Sequence, residues 1–199
     1  MRTWVKPWDA RLAARLVEPL RDSWIGPNHL TTLRLLVGAT SAYLFAEGAH
    51  QNLAAALMVL SNFLDHCDGE LARISGKATR FGHYYDLVSD ATVTVALFVC
   101  MGVGLVTSFD LSAEWMGLVA GVAVAGIFQL RNVMENEYGK AATTQPQFSG
   151  FDAEDILYLL PLVTWVNGLD SFLLAAAVGA PIALSVVAGQ YFALRRSTV

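Results

Sequence analysis

The sequence predicts an all-α integral membrane protein: six transmembrane helices preceded by an N-terminal amphipathic helix lying in the interface. Three observations lead there. Hydrophobic residues make up 55% of the chain and charged residues only 15%, where a soluble domain carries about a quarter, so the apolar excess must face lipid. Six apolar segments recur, near residues 30–47, 51–74, 82–107, 114–136, 154–168 and 170–194, against the roughly 20 residues that a spanning helix needs at about 1.5 Å each. The lysines and arginines, finally, sort to one side of those segments.

Taken in order, residues 8–24 read as the amphipathic helix. Leu12, Leu16 and Leu20 recur four apart with Val17 beside them, while Arg11, Arg15, Arg21 and Asp22 supply the polar side. Trp4, Trp8 and Trp24 flank it, and tryptophan favours the headgroup zone. The start of the chain is polar with no apolar h-region, so no cleaved signal peptide is expected. This gives a cytoplasmic segment over 1–29 and a six-helix membrane domain over 30–199. The second and third apolar segments are interrupted by charge, and the fifth is short.

Thirteen basic residues set the orientation. Arg2, Lys6, Arg11, Arg15 and Arg21 precede the first span, and Arg34 sits in its first turn. Arg73, Lys77 and Arg80 lie between spans two and three, Arg131 and Lys140 at the end of span four, and Arg195 and Arg196 at the close. The connections near 47–51, 107–114 and 167–170 contain none. Cations concentrate on the cytoplasmic side of membrane proteins, so both termini are expected there. The net charge of −4 leaves no footprint for nucleic acid, and Cys67 and Cys100 form neither a disulfide framework nor a metal-ligand spacing.

The segment from Asp65 to Asp90 carries the chemistry. Asp65 and Asp68 are three apart, and Asp86 and Asp90 four apart, so each pair shares a helical face. A charged side chain at membrane depth is expensive unless paired, hydrated or bound to a cation. If the two helices are antiparallel neighbours, the four carboxylates converge on one point. Pairing with buried arginines is the alternative, but too few cations are at hand to neutralise all four. A cluster of hard oxygen donors suits Mg²⁺, Mn²⁺ or Ca²⁺, and two such ions can clamp the attacking and leaving oxygens of a phosphoryl displacement. Gly69, Ala72 and Gly82 are small residues that let a backbone or ligand approach closely. Arg73 could meet a phosphate.

The pattern Asp65-x2-Asp68-Gly69-x2-Ala72-Arg73-x8-Gly82-x3-Asp86-x3-Asp90 resembles the complete signature of the CDP-alcohol phosphotransferase family, and Pro27-Asn28-His29-Leu30-Thr31 resembles that family's entry to its first membrane helix. The resemblance implies transfer of a substituted phosphate from a CDP-alcohol, foremost CDP-diacylglycerol, to an acceptor alcohol with release of CMP. It implies Asp65, Asp68, Asp86 and Asp90 as ligands of Mg²⁺ or Mn²⁺, two ions in all, and Asp90 as general base. It implies Asn28, Thr31, Asp65, Gly69, Ala72, Arg73 and Gly82 around the CDP moiety, an active site on the cytoplasmic side, and frequent homodimers. A soluble CDP-alcohol donating to a lipid acceptor is the alternative within the family.

The residues support the same mechanism. A carboxylate one turn from Asp86 can take the proton of an attacking hydroxyl, while positioning and charge neutralisation supply most of the rate. His66 and His83 flank the aspartates but stand outside the signature, and Glu70 is expected to meet water or Arg73. Arg131 and Lys140 could bind an acceptor phosphate, although Asp152, Glu154 and Asp155 nearby favour a hydroxyl-rich or amino acceptor. Two other classes compete. An intramembrane prenyltransferase would keep its aspartate motifs far apart in the chain. A carboxylate-site cation transporter would have no use for Gly69-x2-Ala72-Arg73.

Overall fold

The computed structural model describes residues 8–106, 112–139 and 157–197, and every regular element among them is helical. The elements are α1 (Trp8–Val17) with a 3₁₀ turn (Glu18–Leu20), α2 (Pro27–Glu47), α3 (Gln51–Ser75), α4 (Arg80–Gly104), α5 (Ser112–Tyr138), α6 (Leu160–Trp165) and α7 (Leu169–Ser197). The expectations resting on Arg2, Trp4, Lys6, Lys140 and Phe151–Asp155 lie outside the described residues.

Helix α1 is shorter than the expected 8–24. Pro19 has no amide hydrogen, and its ring crowds the carbonyl four residues back, so the helix closes at Val17 and tightens into the 3₁₀ turn. Its Ala13 and Val17 are buried against Cys67 and Leu71 of α3, while Leu12 and Leu16 face outward. Helix α2 opens with Pro27 at its first position, where the missing amide costs nothing, three residues ahead of the expected start. Helix α3 ends at Gly76, whose φ of 67° lies in the left-handed region that glycine tolerates. Thr79 then caps α4 by accepting a hydrogen bond from the Gly82 amide at 3.0 Å.

Helices α4, α5 and α7 are long and apolar enough to cross a membrane. Helices α2 and α3 have the length but carry the polar side chains of the site. The fifth expected span, 154–168, is represented among the described residues by a 3₁₀ turn at 157–159 and the six-residue α6.

The packing differs from the sequence expectation at one point. Helices α3 and α4, which carry the aspartates, do not pack along each other. Helix α2 packs along both, α5 packs on α4, α7 on α5, and α1 and α6 on α3. The wedge is tight: a Cβ at Gly38 of α2 would fall 2.7 Å from Val93 of α4 and 2.9 Å from Ser61 of α3. Ser61 Oγ donates to the Arg34 carbonyl at 3.1 Å, and Ser41 Oγ to the Ala54 carbonyl at 2.7 Å, tying α2 to α3. Between α4 and α5 the contact is backbone on backbone, since a Cβ at Gly117 would lie 2.2 Å from the Phe98 carbonyl oxygen. Such close approach is how helices associate where water supplies no hydrophobic drive. Large apolar side chains, among them Leu36, Tyr43, Val122, Val178 and Ile182, point outward instead.

Candidate active site

The site forms where α2 separates α3 from α4. Arg34, on α2 and only 2% exposed, reaches the carboxylates of both flanking helices. Its Nη1 donates to Asp65 Oδ1 of α3 and, at 3.0 Å, to Asp86 Oδ1 of α4; its Nη2 donates to Asp90 Oδ1 at 2.5 Å. Asp68 is held separately by Thr31, whose hydroxyl donates to Asp68 Oδ2 at 2.8 Å. Ligand oxygens of Asp65, Asp68 and Asp86 lie within 4.8 Å of one another. All four aspartates thus converge as the spacing requires, but around a third helix rather than across a two-helix seam.

Arg34 is the residue that sequence reasoning missed. It entered only as one more cation on the cytoplasmic side, because nothing in the local pattern around position 34 points to residues 31 to 56 positions away. A basic residue inside an otherwise apolar helix was the available signal. The guanidinium offsets one of four carboxylates, so the cluster still holds an excess of negative charge. That excess, the hard oxygen donors and their mutual separation fit divalent cations.

Two cavities border the quartet and share no wall residue. The first, about 200 Å³, meets Asp68 and Asp86 and includes five residues expected around the nucleotide: Asn28, Thr31, Gly69, Ala72 and Gly82. Two others are placed elsewhere. Asp65 borders the second cavity, and Arg73 projects outward with its Nη1 paired to Glu70 at 3.0 Å. Glu70 is buried and meets Arg73, one of the two partners expected for it. Lys77, Thr79 and His83 also line the first cavity without having been foreseen there. Lys77 Nζ donates to the Ser23 carbonyl at 2.7 Å and so draws the α3–α4 connection over the segment before α2.

Gly82 has a physical reason in this wall. A Cβ there would sit 2.8 Å from Asn28 Oδ1 and 3.1 Å from Thr79 Oγ1, so glycine lets the Asn28 amide reach the cavity. At Gly69 a Cβ would meet, beyond its chain neighbours and its own helix backbone, only Arg73 Nη2 at 4.0 Å, so the space above it is open.

The second cavity, about 30 Å³, meets Asp65 and Asp90, with Asn62, His66, Thr94 and Tyr158 in its wall. Gln129 of α5 donates to the Leu87 carbonyl at 3.0 Å and ties α4 to α5 beside Asp86. Arg131, on the same helix, is half-buried and borders neither cavity.

Comparison with known proteins gives the family and the fold. Three curated relatives align with about half of the chain. The bifunctional IPC transferase and DIPP synthase of Archaeoglobus fulgidus is 34% identical, over 54% of this chain and 24% of the relative. The archaetidylinositol phosphate synthase of Pyrococcus horikoshii is 28% identical, over 54% and 57%. The CDP-diacylglycerol–inositol 3-phosphatidyltransferase of Candida albicans is 32% identical, over 56% and 51%. The chain therefore spans from a quarter to just over half of these relatives' lengths. The fold matches the crystal structure of the Mycobacterium tuberculosis phosphatidylinositol phosphate synthase with CDP-DAG bound, at a TM-score of 0.70 and 19% identity over 92% of this chain and 94% of that one. The sequence profile of the CDP-alcohol phosphatidyltransferases matches residues 24–187, and the chain belongs to that family of integral membrane transferases.

Proposed function

We propose that this protein transfers a substituted phosphate group from a CDP-alcohol to an acceptor hydroxyl and releases CMP. The carrying observation is the aspartate quartet set between two separate cavities. CDP-diacylglycerol is the first donor to test, since the Candida albicans relative carries it in its name. Asp65, Asp68, Asp86 and Asp90 would hold Mg²⁺ or Mn²⁺, two ions in all. Such ions, when bound, neutralise pyrophosphate charge and acidify a nearby hydroxyl.

The chain's own residues divide the remaining tasks. Asn28, Thr31, Gly69, Ala72 and Gly82 receive the CMP moiety, with Lys77 at its edge. Thr31 holds Asp68 in place, and Arg34 holds Asp65, Asp86 and Asp90. Asp90, on the wall of the other cavity, takes the proton of the attacking hydroxyl.

We read α2–α5, the 154–168 region and α7 as six spans, with the aspartates and both termini on the cytoplasmic side and α1 in the interface. The outward Leu12 and Leu16 of α1 suit a lipid surface, while Ala13 and Val17 anchor the helix to α3. Residues 1–29 then form the cytoplasmic segment and 30–199 the catalytic domain. A homodimer belongs to this reading as well.

The test is CMP release by the purified protein in detergent or liposomes with Mg²⁺ or Mn²⁺, CDP-diacylglycerol and a set of acceptors. Asp90→Asn is expected to lower turnover at least 100-fold, within the range for a lost general base, while CDP-diacylglycerol still binds. Asp68→Asn is expected to raise the metal concentration required. Near-normal turnover in Asp90→Asn would remove that residue from the base role.

A further inference from the structure

We infer that the cavity bounded by Asp65 and Asp90 is the acceptor subsite, and that it selects an unphosphorylated hydroxyl compound through Asn62, His66 and Thr94. The inference rests on the phosphotransfer reading and specifies its second substrate.

Position comes first. The quartet is divided, Asp68 and Asp86 facing one cavity and Asp65 and Asp90 the other, with no wall residue in common. Attacking and leaving oxygens stand roughly in line across a phosphorus under displacement. If CMP departs toward Asn28, Thr31 and Gly69, the hydroxyl arrives from the side of Asn62 and Thr94. The hydroxyl oxygen forms the new bond to phosphorus. The bond from phosphorus to the CMP oxygen breaks, its electron pair leaving on CMP, and the hydroxyl proton passes to Asp90.

Chemistry decides the class. Asn62 offers both donor and acceptor atoms, Thr94 a buried hydroxyl, and His66 an imidazole, all groups that hydrogen-bond hydroxyls. A phosphate on the acceptor would need uncommitted basic groups. Among the described residues, the only lysine or arginine in this wall is Arg34, and its guanidinium is already shared by three carboxylates. Arg131 borders neither cavity, and Lys140 lies outside the described residues. Size agrees: about 30 Å³ admits roughly two water-sized groups, enough for a hydroxyl and its carbon.

The experiment uses the full chain with CDP-diacylglycerol and Mg²⁺, and measures kcat/KM for matched acceptors: myo-inositol against inositol 1-phosphate, and glycerol against glycerol 3-phosphate. The unphosphorylated member of at least one pair is expected to lead by tenfold or more. Asn62→Ala and the nearly isosteric Thr94→Val are expected to raise the KM for that acceptor at least tenfold, with kcat changed less than threefold and CDP-diacylglycerol affinity unchanged. Preference for a phosphorylated acceptor, above all one lost in Arg131→Ala, overturns the inference and leaves the phosphotransfer reading standing. So does an unchanged acceptor KM in both variants. No CMP release with any acceptor overturns the phosphotransfer reading and this inference with it.

Discussion

Gly69 and Gly82 both border the larger of the two cavities, yet their surroundings differ. Gly82 makes room for the protein, since a Cβ there would press on Asn28 and Thr79. Gly69 opens onto free space, because a Cβ there would meet nothing closer than 4.0 Å beyond its chain neighbours and its own helix backbone. Gly69→Ala is therefore expected to fold with unchanged thermal stability and to place its methyl in the donor's space. A tenfold weaker binding of CDP-diacylglycerol, about 1.4 kcal/mol, is the expected result. Unchanged donor binding would show that the donor does not approach Gly69. Gly82 was legible as a site of close approach; that the neighbour is Asn28 was not, because Asn28 comes from another helix. Asp65 and Arg73 show the same limit. Spacing places them on α3 but does not say which cavity each meets.

At the scale of the element, the decisive feature is α2 as a wedge. The four aspartates were legible because each pair lies within one turn of one helix, and helical period is a local property. Their arrangement around Arg34 was not, since it depends on α2 packing along both α3 and α4. The early end of α1 was legible in principle from Pro19 and was overlooked behind the leucine spacing. Because Arg34 joins three helices, its removal should be felt as stability before it is felt as chemistry. Arg34→Met leaves three carboxylates without their guanidinium. Breaking a buried pair costs about 3–5 kcal/mol, and the low end applies here because those carboxylates are 33–38% exposed. Thermal unfolding in detergent without divalent cations should show that loss. Saturating Mg²⁺ should restore more stability to Arg34→Met than it adds to the wild type, since ligand binding to the folded state stabilises it and the competing cation is gone. Equal Mg²⁺ stabilisation of both proteins would mean that the guanidinium and the ion do not share these carboxylates.

For the whole molecule, the described residues at the two ends of the bundle differ in charge, and the difference predicts an orientation. The α2–α3 turn, with Gly48 and His50, meets Thr164 and Asn167 of the α6–α7 region at one end, and among the described residues no lysine or arginine borders the cavity between them. The aspartate end gathers Arg73, Lys77 and Arg80 around the α3–α4 connection. A bilayer that keeps basic loops on the cytoplasmic face should hold the aspartates toward a soluble pool of acceptor and released CMP. Cysteine scanning tests this directly. With Cys67 and Cys100 replaced by alanine, His50→Cys should react with a membrane-impermeant maleimide in intact cells, while Arg80→Cys and Arg196→Cys should react only in inside-out vesicles. Labelling of Arg80→Cys from outside would reverse the orientation. It would also place CMP release where no cytoplasmic enzyme could recover the nucleotide, so the same readout bears on the fold's direction and on the chemistry it can serve.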